Sequence, residues 1–212
     1  MTIDSEDLLN SILDSLARIE YVKPQDIPNI DLYMDQVTTF MDKKLKASVR
    51  NPGADKILTK TMINNYAKND LLPPPVKKKY SKEHILLLIF IYYYKGILSI
   101  NDIQTLLKPI TDKYFQNDKD FSLEEVYSEV FGMEKEQVEY IKEDILGKYR
   151  KAQDTFGEAP EEDRQFLRTF SFICLLSFDV YVKKLLIEKL VDDFEEKESE
   201  DKTRKKHEEQ EG

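Results

Sequence analysis

Residues Ile85–Tyr94 read ILLLIFIYYY, a run that is apolar or aromatic at every position. An amphipathic helix or a half-buried strand needs a polar face recurring at its own period, and this run has none. It must be enclosed on all sides, so the remaining elements have to be arranged around it. Periodicity does not separate strand from helix here, but the borders do. Ser81 suits an N-cap, Glu83 favours the positive end of a helix dipole, and Gly96 supplies a C-terminal stop. A fully buried helix is expected. A second apolar run, Thr169–Phe178, is also expected to be a core helix. Each run has only about ten residues between charges, half of the ~20 that a bilayer span requires, so no membrane segment is expected.

The rest of the chain reads as helices too. With 34% charged residues, no tryptophan and 6 glycines in 212 residues, the composition favours helix over a strand-rich fold. A first helix is expected over Ser5–Glu20, where Leu8, Leu9, Ile12, Leu13, Leu16 and Ile19 keep helical spacing. Pro24 and Pro28 end it. A second runs from about Asp31 to Leu45 with Leu32, Val37, Phe40, Met41 and Leu45 as its buried candidates. Arg50–Ala54 contains a Pro-Gly turn. Ser99 caps a short helix that Ile100, Ile103, Leu106 and Leu107 pack and Pro109 bounds. Ser122-Leu123-Glu124-Glu125 is a capping box opening a helix to about Phe131. Glu134 to about Phe156 and Glu161 to about Phe194 supply two more. The charged tail from 197 to 212 is expected to be disordered.

Between these lies Leu58–Tyr80, LTKTMINNYAKNDLLPPPVKKKY. Lys60, Thr61, Asn64, Asn65 and Lys68 share one helical face, and Met62, Ile63, Tyr66 and Ala67 share the opposite one. Pro73-Pro74-Pro75 stops the helix, and Val76–Tyr80 forms a short extended tip carrying Lys77, Lys78 and Lys79. Lysines and amides on one face are what a helix in a DNA groove uses, for phosphates and for adenine edges respectively. The charge distribution agrees. From Lys43 to Lys82 there are eleven basic residues and two acidic ones, a net of +9, within a chain of net charge −9, so the remainder carries −18. A cationic island in an acidic chain is an electrostatic footprint for a polyanion.

Other chemistry is poorly represented. Cys174, the single cysteine, excludes a disulfide framework and reads as a small core residue. His84 and His207 are too few for a histidine metal site, and His84 is expected at a surface or boundary. No HExxH, Walker or GxGxxG pattern occurs, and the carboxylates at helix starts are explained by capping. The chain is therefore not expected to be an enzyme, and no cofactor or metal is expected. The start, MTIDSEDLLNSILDSL, lacks a basic n-region and a cleavage site, so the cytoplasm is the expected location.

The order helix, polar-faced helix, basic tip, buried helix and short helix resembles the winged helix-turn-helix of MerR-type transcriptional regulators. The residues that carry the likeness are Met62-Ile63-Asn64-Asn65-Tyr66, Leu71-Leu72-Pro73-Pro74, Tyr80-Ser81 and Leu98-Ser99-Ile100-Asn101-Asp102-Ile103. From about Ile27 to Leu107 the chain more closely resembles the domain of unknown function (DUF) 1836 family, a bacterial group, mainly from Firmicutes, with no assigned biochemical role. Asn64 stands where MerR-type proteins place an arginine, and Asp70 where they place a glycine before the two leucines. The connection between the first two helices is longer and the wing shorter. The resemblance implies a DNA-binding regulator, a homodimer in which Tyr80 joins the lysines and asparagines at double-stranded DNA.

Taken together, the sequence is read as all-α. An N-terminal helix (1–26) precedes a MerR-like winged helix-turn-helix (27–110). An acidic helical bundle domain (111–196) for dimerisation or effector binding follows, then the tail (197–212). The expected DNA-binding residues are Lys60, Thr61, Asn64, Asn65, Lys68, Lys77, Lys78, Lys79 and Tyr80. Any small-molecule effector would sit among Phe166, Phe170, Phe172 and Phe178. The competing reading is a protein–protein interaction module on the same scaffold, without DNA binding.

Overall fold

The computed structural model describes residues 9–11, 13, 21–46, 49, 57–117 and 121–210, with the side chains of 134–135 and 198–210 excepted. The described chain is mostly helical: α1 Met34–Leu45, α2 Lys60–Lys68, α3 Lys82–Tyr94, α4 Ile100–Tyr114, α5 Leu123–Gly132, α6 Glu134–Gln153 and α7 Glu161–Gln210. Two strands of two residues, β1 Leu32–Tyr33 and β2 Lys79–Tyr80, pair antiparallel with Leu32 opposite Tyr80 and Tyr33 opposite Lys79. Among the described residues no helix is long and apolar enough to cross a membrane. Of the expected first helix, residues 9–11 and 13 are helical and Leu9 and Leu13 are buried. Its remaining residues and the Arg50–Ala54 turn lie outside the described residues.

The chain divides into two compact units, one of residues 21–132 with 188–212 and the other of 133–187 with the described part of 1–20. In the first, α3 is the centre. Every residue from His84 to Ile91 is buried, as its unbroken apolar run requires, and β2, α4 and α5 pack around it. Phe90 projects from α3 into an aromatic cluster, 5.5 Å from the Tyr127 ring and 5.2 Å from Phe131, with Tyr127 and Phe131 themselves 4.5 Å apart between centroids. Tyr127 is wholly buried, and its hydroxyl donates to the Val22 carbonyl at 2.7 Å. A buried phenol needs such a partner, and this one joins the beginning of the unit to α5.

The helix starts follow capping chemistry. The Ser99 N–H donates to the Asp102 carboxylate at 3.0 Å while Ser99 Oγ accepts from the Asp102 N–H at 3.2 Å. Ser122 and Glu125 do the same at 2.7 and 3.2 Å, and the Ser122 hydroxyl, which also donates to the carboxylate at 2.7 Å, holds the Glu125 carboxyl below the usual range together with the Ser122 N–H. Pro109 does not bound α4. The helix continues to Tyr114 with Pro109 inside it. A proline there costs about 3 kcal/mol through its lost N–H and its ring clash, but the helical spacing carries on beyond it to Ile110 and Tyr114, both half-buried. Immediately after, Phe115 sets its ring edge-on to His84, 4.8 Å away.

In the second unit α6 and α7 are linked by polar and aromatic contacts. Lys148 of α6 pairs with Asp144 and, at 2.7 Å, with Asp179 of α7, which lowers the Asp179 carboxyl and raises the Lys148 ammonium. The Tyr149 and Phe172 rings meet edge to face at 5.5 Å, and Arg168 Nε donates to the Thr155 carbonyl at 3.2 Å. The expectation that Thr169–Phe178 is a core helix is corrected: Phe170, Ile173 and Phe178 are 54, 54 and 66% exposed, and Cys174 is exposed as well. Phe166, Phe170 and Phe178 therefore lie along an exposed side of the helix, while Phe172 is half-buried against Tyr149. An apolar run is buried all round only where elements exist to cover every side of it, as they do for α3. Helix also replaces the disorder expected from 197, since α7 runs on to Gln210. Its Glu and Lys content has high helix propensity, and pairs such as Lys197 with Asp193, 2.6 Å apart at i,i+4, support it.

Candidate nucleic-acid interface

Helix α2 begins at a firmly anchored point. Ile57 and Leu58 are buried. The Ile57 N–H donates to Asp42 at the end of α1 (3.4 Å), and its carbonyl accepts from Lys95 Nζ at 2.5 Å. Burial lowers the Lys95 ammonium, and the ring of Tyr92 lies 4.8 Å beneath it. Thr59 Oγ1 then caps α2 by accepting from the Met62 N–H at 3.2 Å. Ile63 and Tyr66 are buried, while Lys60, Thr61, Asn64, Asn65 and Lys68 are all exposed. The two faces read from the sequence are thus the inner and outer faces of the helix.

The C-terminus of α2 explains Asp70. Asp70 has φ 53°, and the Leu71 N–H following it bonds back to the Tyr66 carbonyl at 2.9 Å. That is a Schellman-type ending, in which the residue past the cap takes the left-handed conformation glycine adopts without cost. Asp70 occupies a glycine position because the turn demands that geometry, and Leu71 and Leu72 are thereby delivered into the core at 2 and 1% exposure.

Beyond the prolines, Val76 and Lys79 exchange both backbone hydrogen bonds, at 3.1 and 3.0 Å, so the chain turns back on two residues. These are Lys77 at φ 51° and Lys78 at φ 65°. Positive φ at both centres defines a type I′ turn, for which Asn-Gly is the favoured pair. Two lysines hold it here at a cost of roughly 1 kcal/mol or more each, and both are exposed at the tip. Lys79 differs. It is half-buried, with its Nζ 5.2 Å over the Tyr33 ring.

Tyr80 is corrected more strongly. Strand alternation turns it inward, opposite Leu32, and it is 3% exposed with its ring edge-on to His84 at 5.5 Å. Burial raises its phenol pKa, and it packs the base of the hairpin.

One short segment draws these parts together. Tyr33 touches Lys79 of the hairpin, and Asp35, two residues later, forms an ion pair with Lys60 at the start of α2. Helix α1 follows from β1 directly and packs on both α2 and β2, so the polar face of α2 begins close to the lysine hairpin. The cationic island is partly compensated by carboxylates from outside it: Lys44 meets Asp26 at 3.0 Å, Lys82 meets Glu124 at 2.7 Å, and Lys60 meets Asp35. Arg50 and Lys56 lie outside the described residues. Lys68, Lys77 and Lys78 remain exposed.

Sequence reasoning missed His84, which is 1% exposed. The Ser81 N–H donates to His84 Nδ1 at 3.0 Å, and Ser81 Oγ lies 2.8 Å from the same nitrogen. A histidine at the third position of the helix thus serves where a capping box usually has Glu or Gln. With Nδ1 accepting, the ring proton sits on Nε2. That atom is enclosed with no partner in hydrogen-bond geometry among the described residues. Burial lowers the imidazole pKa, and the neighbouring Pro74 and Pro73 carbonyls only partly oppose this.

The unfolded chain protonates at the ordinary imidazole value, near 6.5, before the folded one does. Stability is therefore complete above that value and declines as pH falls toward the lower folded pKa. Urea unfolding at pH 7.5 and 5.5 should show a lower midpoint at pH 5.5. His84→Gln, which keeps a side-chain acceptor at the cap and cannot titrate, should reduce that difference.

Among the described residues no group of three or more His, Cys, Asp or Glu is placed to hold a metal ion. Compared with known proteins, residues 22–130 match the model of a family described as a domain of unknown function, DUF1836. No curated protein matches the chain. No solved structure matches it.

Proposed function

The chain belongs to the DUF1836 family, and within the matched segment we propose a MerR-like winged helix-turn-helix that binds double-stranded DNA as part of a transcriptional regulator. The observation that carries this reading is the exposed face of α2, Lys60, Thr61, Asn64, Asn65 and Lys68, set beside a hairpin whose two tip residues are lysines at positive φ. A strained turn built from two cations is a costly way to reverse a chain. Such outliers are retained where their side chains are used.

In this reading α1 corresponds to the first helix of the motif and α2 to the recognition helix in the major groove, with Asn64 and Asn65 at base edges and Lys68 at the backbone. Lys77 and Lys78 meet phosphates flanking the groove. The segment 46–59 replaces the tight turn of ordinary helix-turn-helix units, and the Lys95–Ile57 and Asp42–Ile57 bonds hold its end in place. Association should be strongly salt-dependent, each neutralised phosphate adding about 0.9 to the log–log slope. Fragments of the source genome titrated with the full chain between low and moderate salt provide the test. Binding that does not change with salt, or no binding, overturns the proposal.

A second reading, a protein-docking module on the same scaffold, has one specific observation in its favour. Lys60, the first residue of the polar face, is held by Asp35, and that carboxylate adds negative charge where DNA phosphates would approach. It predicts retained function when the tip lysines are reversed.

A further inference from the structure

Leu146, Tyr149, Arg150, Gln153 and Asp154 stand at i, i+3, i+4, i+7 and i+8, a single stripe along α6 and its cap. Together with Leu9 and Asn10 the stripe lines a cleft of about 320 Å³, at the lower end of the range for small-molecule sites. Its character changes along its length. Leu146 and Tyr149 are half-buried, Tyr149 with its ring edge-on to Phe172, and Leu9 is buried. One turn further, Arg150 and Asp154 are exposed and opposite in charge. The two form no ion pair with each other, and neither side chain has another partner among the described residues. At i,i+4 the order with the cation first is the weaker one on a helix. Asp154 also adds its carboxylate to the negative end of the α6 dipole, where a cation from outside is favoured.

We propose that this cleft binds a free α-amino acid with an apolar side chain. The Arg150 guanidinium takes the carboxylate, for which its fork of donors is shaped. The Asp154 carboxylate and the end of the helix take the ammonium, and the ligand's side chain lies against Leu146, Tyr149 and Leu9. The amides of Asn10 and Gln153 supply both donors and acceptors for the same polar head. Other classes of ligand fit less well. A phosphate ester meets repulsion from Asp154, a simple amine leaves Arg150 unanswered, and a wholly apolar molecule desolvates both charges without pairing either. Positions one turn apart have Cβ atoms about 5–6 Å from each other. That spacing suits an ammonium and a carboxylate carried on one carbon, not the two distant ends of a peptide. The site lies wholly within the second unit. It does not depend on DNA binding, and its tests use the protein without nucleic acid.

Isothermal titration calorimetry of the full chain with L-leucine and L-phenylalanine should give dissociation constants on the order of 100 µM. Glycine, which lacks the apolar part, should show no binding at about 10 mM. N-acetyl-L-phenylalanine has no cation and L-phenylalaninamide no carboxylate, so each should bind about tenfold more weakly than phenylalanine. Arg150→Gln should weaken phenylalanine about tenfold while leaving the amide within about threefold of its wild-type affinity. Asp154→Asn should weaken phenylalanine by a similar factor and spare the N-acetyl form. Both side chains are exposed, so these variants keep the fold, and circular dichroism verifies it. No binding of either amino acid at about 10 mM overturns the proposal. So does an affinity that glycine or both blocked forms match, or that both variants retain.

Discussion

The double reversal Lys77→Glu with Lys78→Glu is expected to reduce affinity for DNA on the order of 100-fold at moderate salt, with the log–log salt slope falling by about 2. Both effects have one origin. Two exposed cations at the hairpin tip become two anions, so two phosphate contacts are lost and replaced by repulsion. Lys79 is the wrong target for this experiment, because its ammonium is half-buried over Tyr33 and its loss would disturb the hairpin itself. Lys77→Arg with Lys78→Arg keeps the charge and should retain most of the affinity. Thermal unfolding of each variant separates a binding defect from a folding one, since the Lys77 and Lys78 side chains are exposed and contribute no core. If the reversed protein binds as tightly as wild type, the hairpin is not a phosphate contact and the docking reading takes precedence.

Leu87→Ala should be the most destabilising of the substitutions considered, by about 3–5 kcal/mol, the upper part of the range for truncating a buried leucine. Its position decides the magnitude. Leu86, Leu87 and Leu88 are all 0% exposed although they point to different sides of α3. A cavity at an amphipathic helix can be partly closed by movement of the helix toward its neighbour. Here α3 is held on several sides at once by β2, α4 and α5, so movement that closes one gap opens another. At about 2–4 °C per kcal/mol for a chain of this size, the melting temperature should fall by roughly 10 °C. A loss under 1 kcal/mol would mean that the helix is not enclosed in this way.

The fold was legible wherever a residue pattern had a local cause. Ser99, Ser122 and the two faces of α2 follow from capping and helical period, and the burial of α3 follows from its lack of any polar face. What could not be read depended on partners distant in sequence. Burial of His84 requires the ring of Tyr80 from β2 and that of Phe115, which α4 delivers because Pro109 fails to end it. The MerR-type resemblance puts Tyr80 at the interface, and only its pairing with Leu32 turns it inward. Cys174 and its aromatic neighbours looked like core by composition, but composition does not reveal how many elements are present to cover a helix. The candidate site was legible as a face and a charge cluster. Its geometry, two lysines in a type I′ turn, had no sequence signal, because that turn is normally marked by Asn-Gly.

The bond from Tyr127 to the Val22 carbonyl spans 105 residues, and the family match, 22–130, begins and ends almost at its two partners. Such a closure has a consequence for the order in which the unit is made. During synthesis α1, α2 and α3 emerge long before Tyr127 does. Until then the central helix has neither α5 nor the aromatic cluster to cover it, and loop closure over so many residues is slow. The nascent chain therefore carries eight consecutive core side chains incompletely covered until α5 has been made. That interval is when chaperone capture or misassociation competes with folding. Any fragment that stops short of Tyr127 makes that interval permanent.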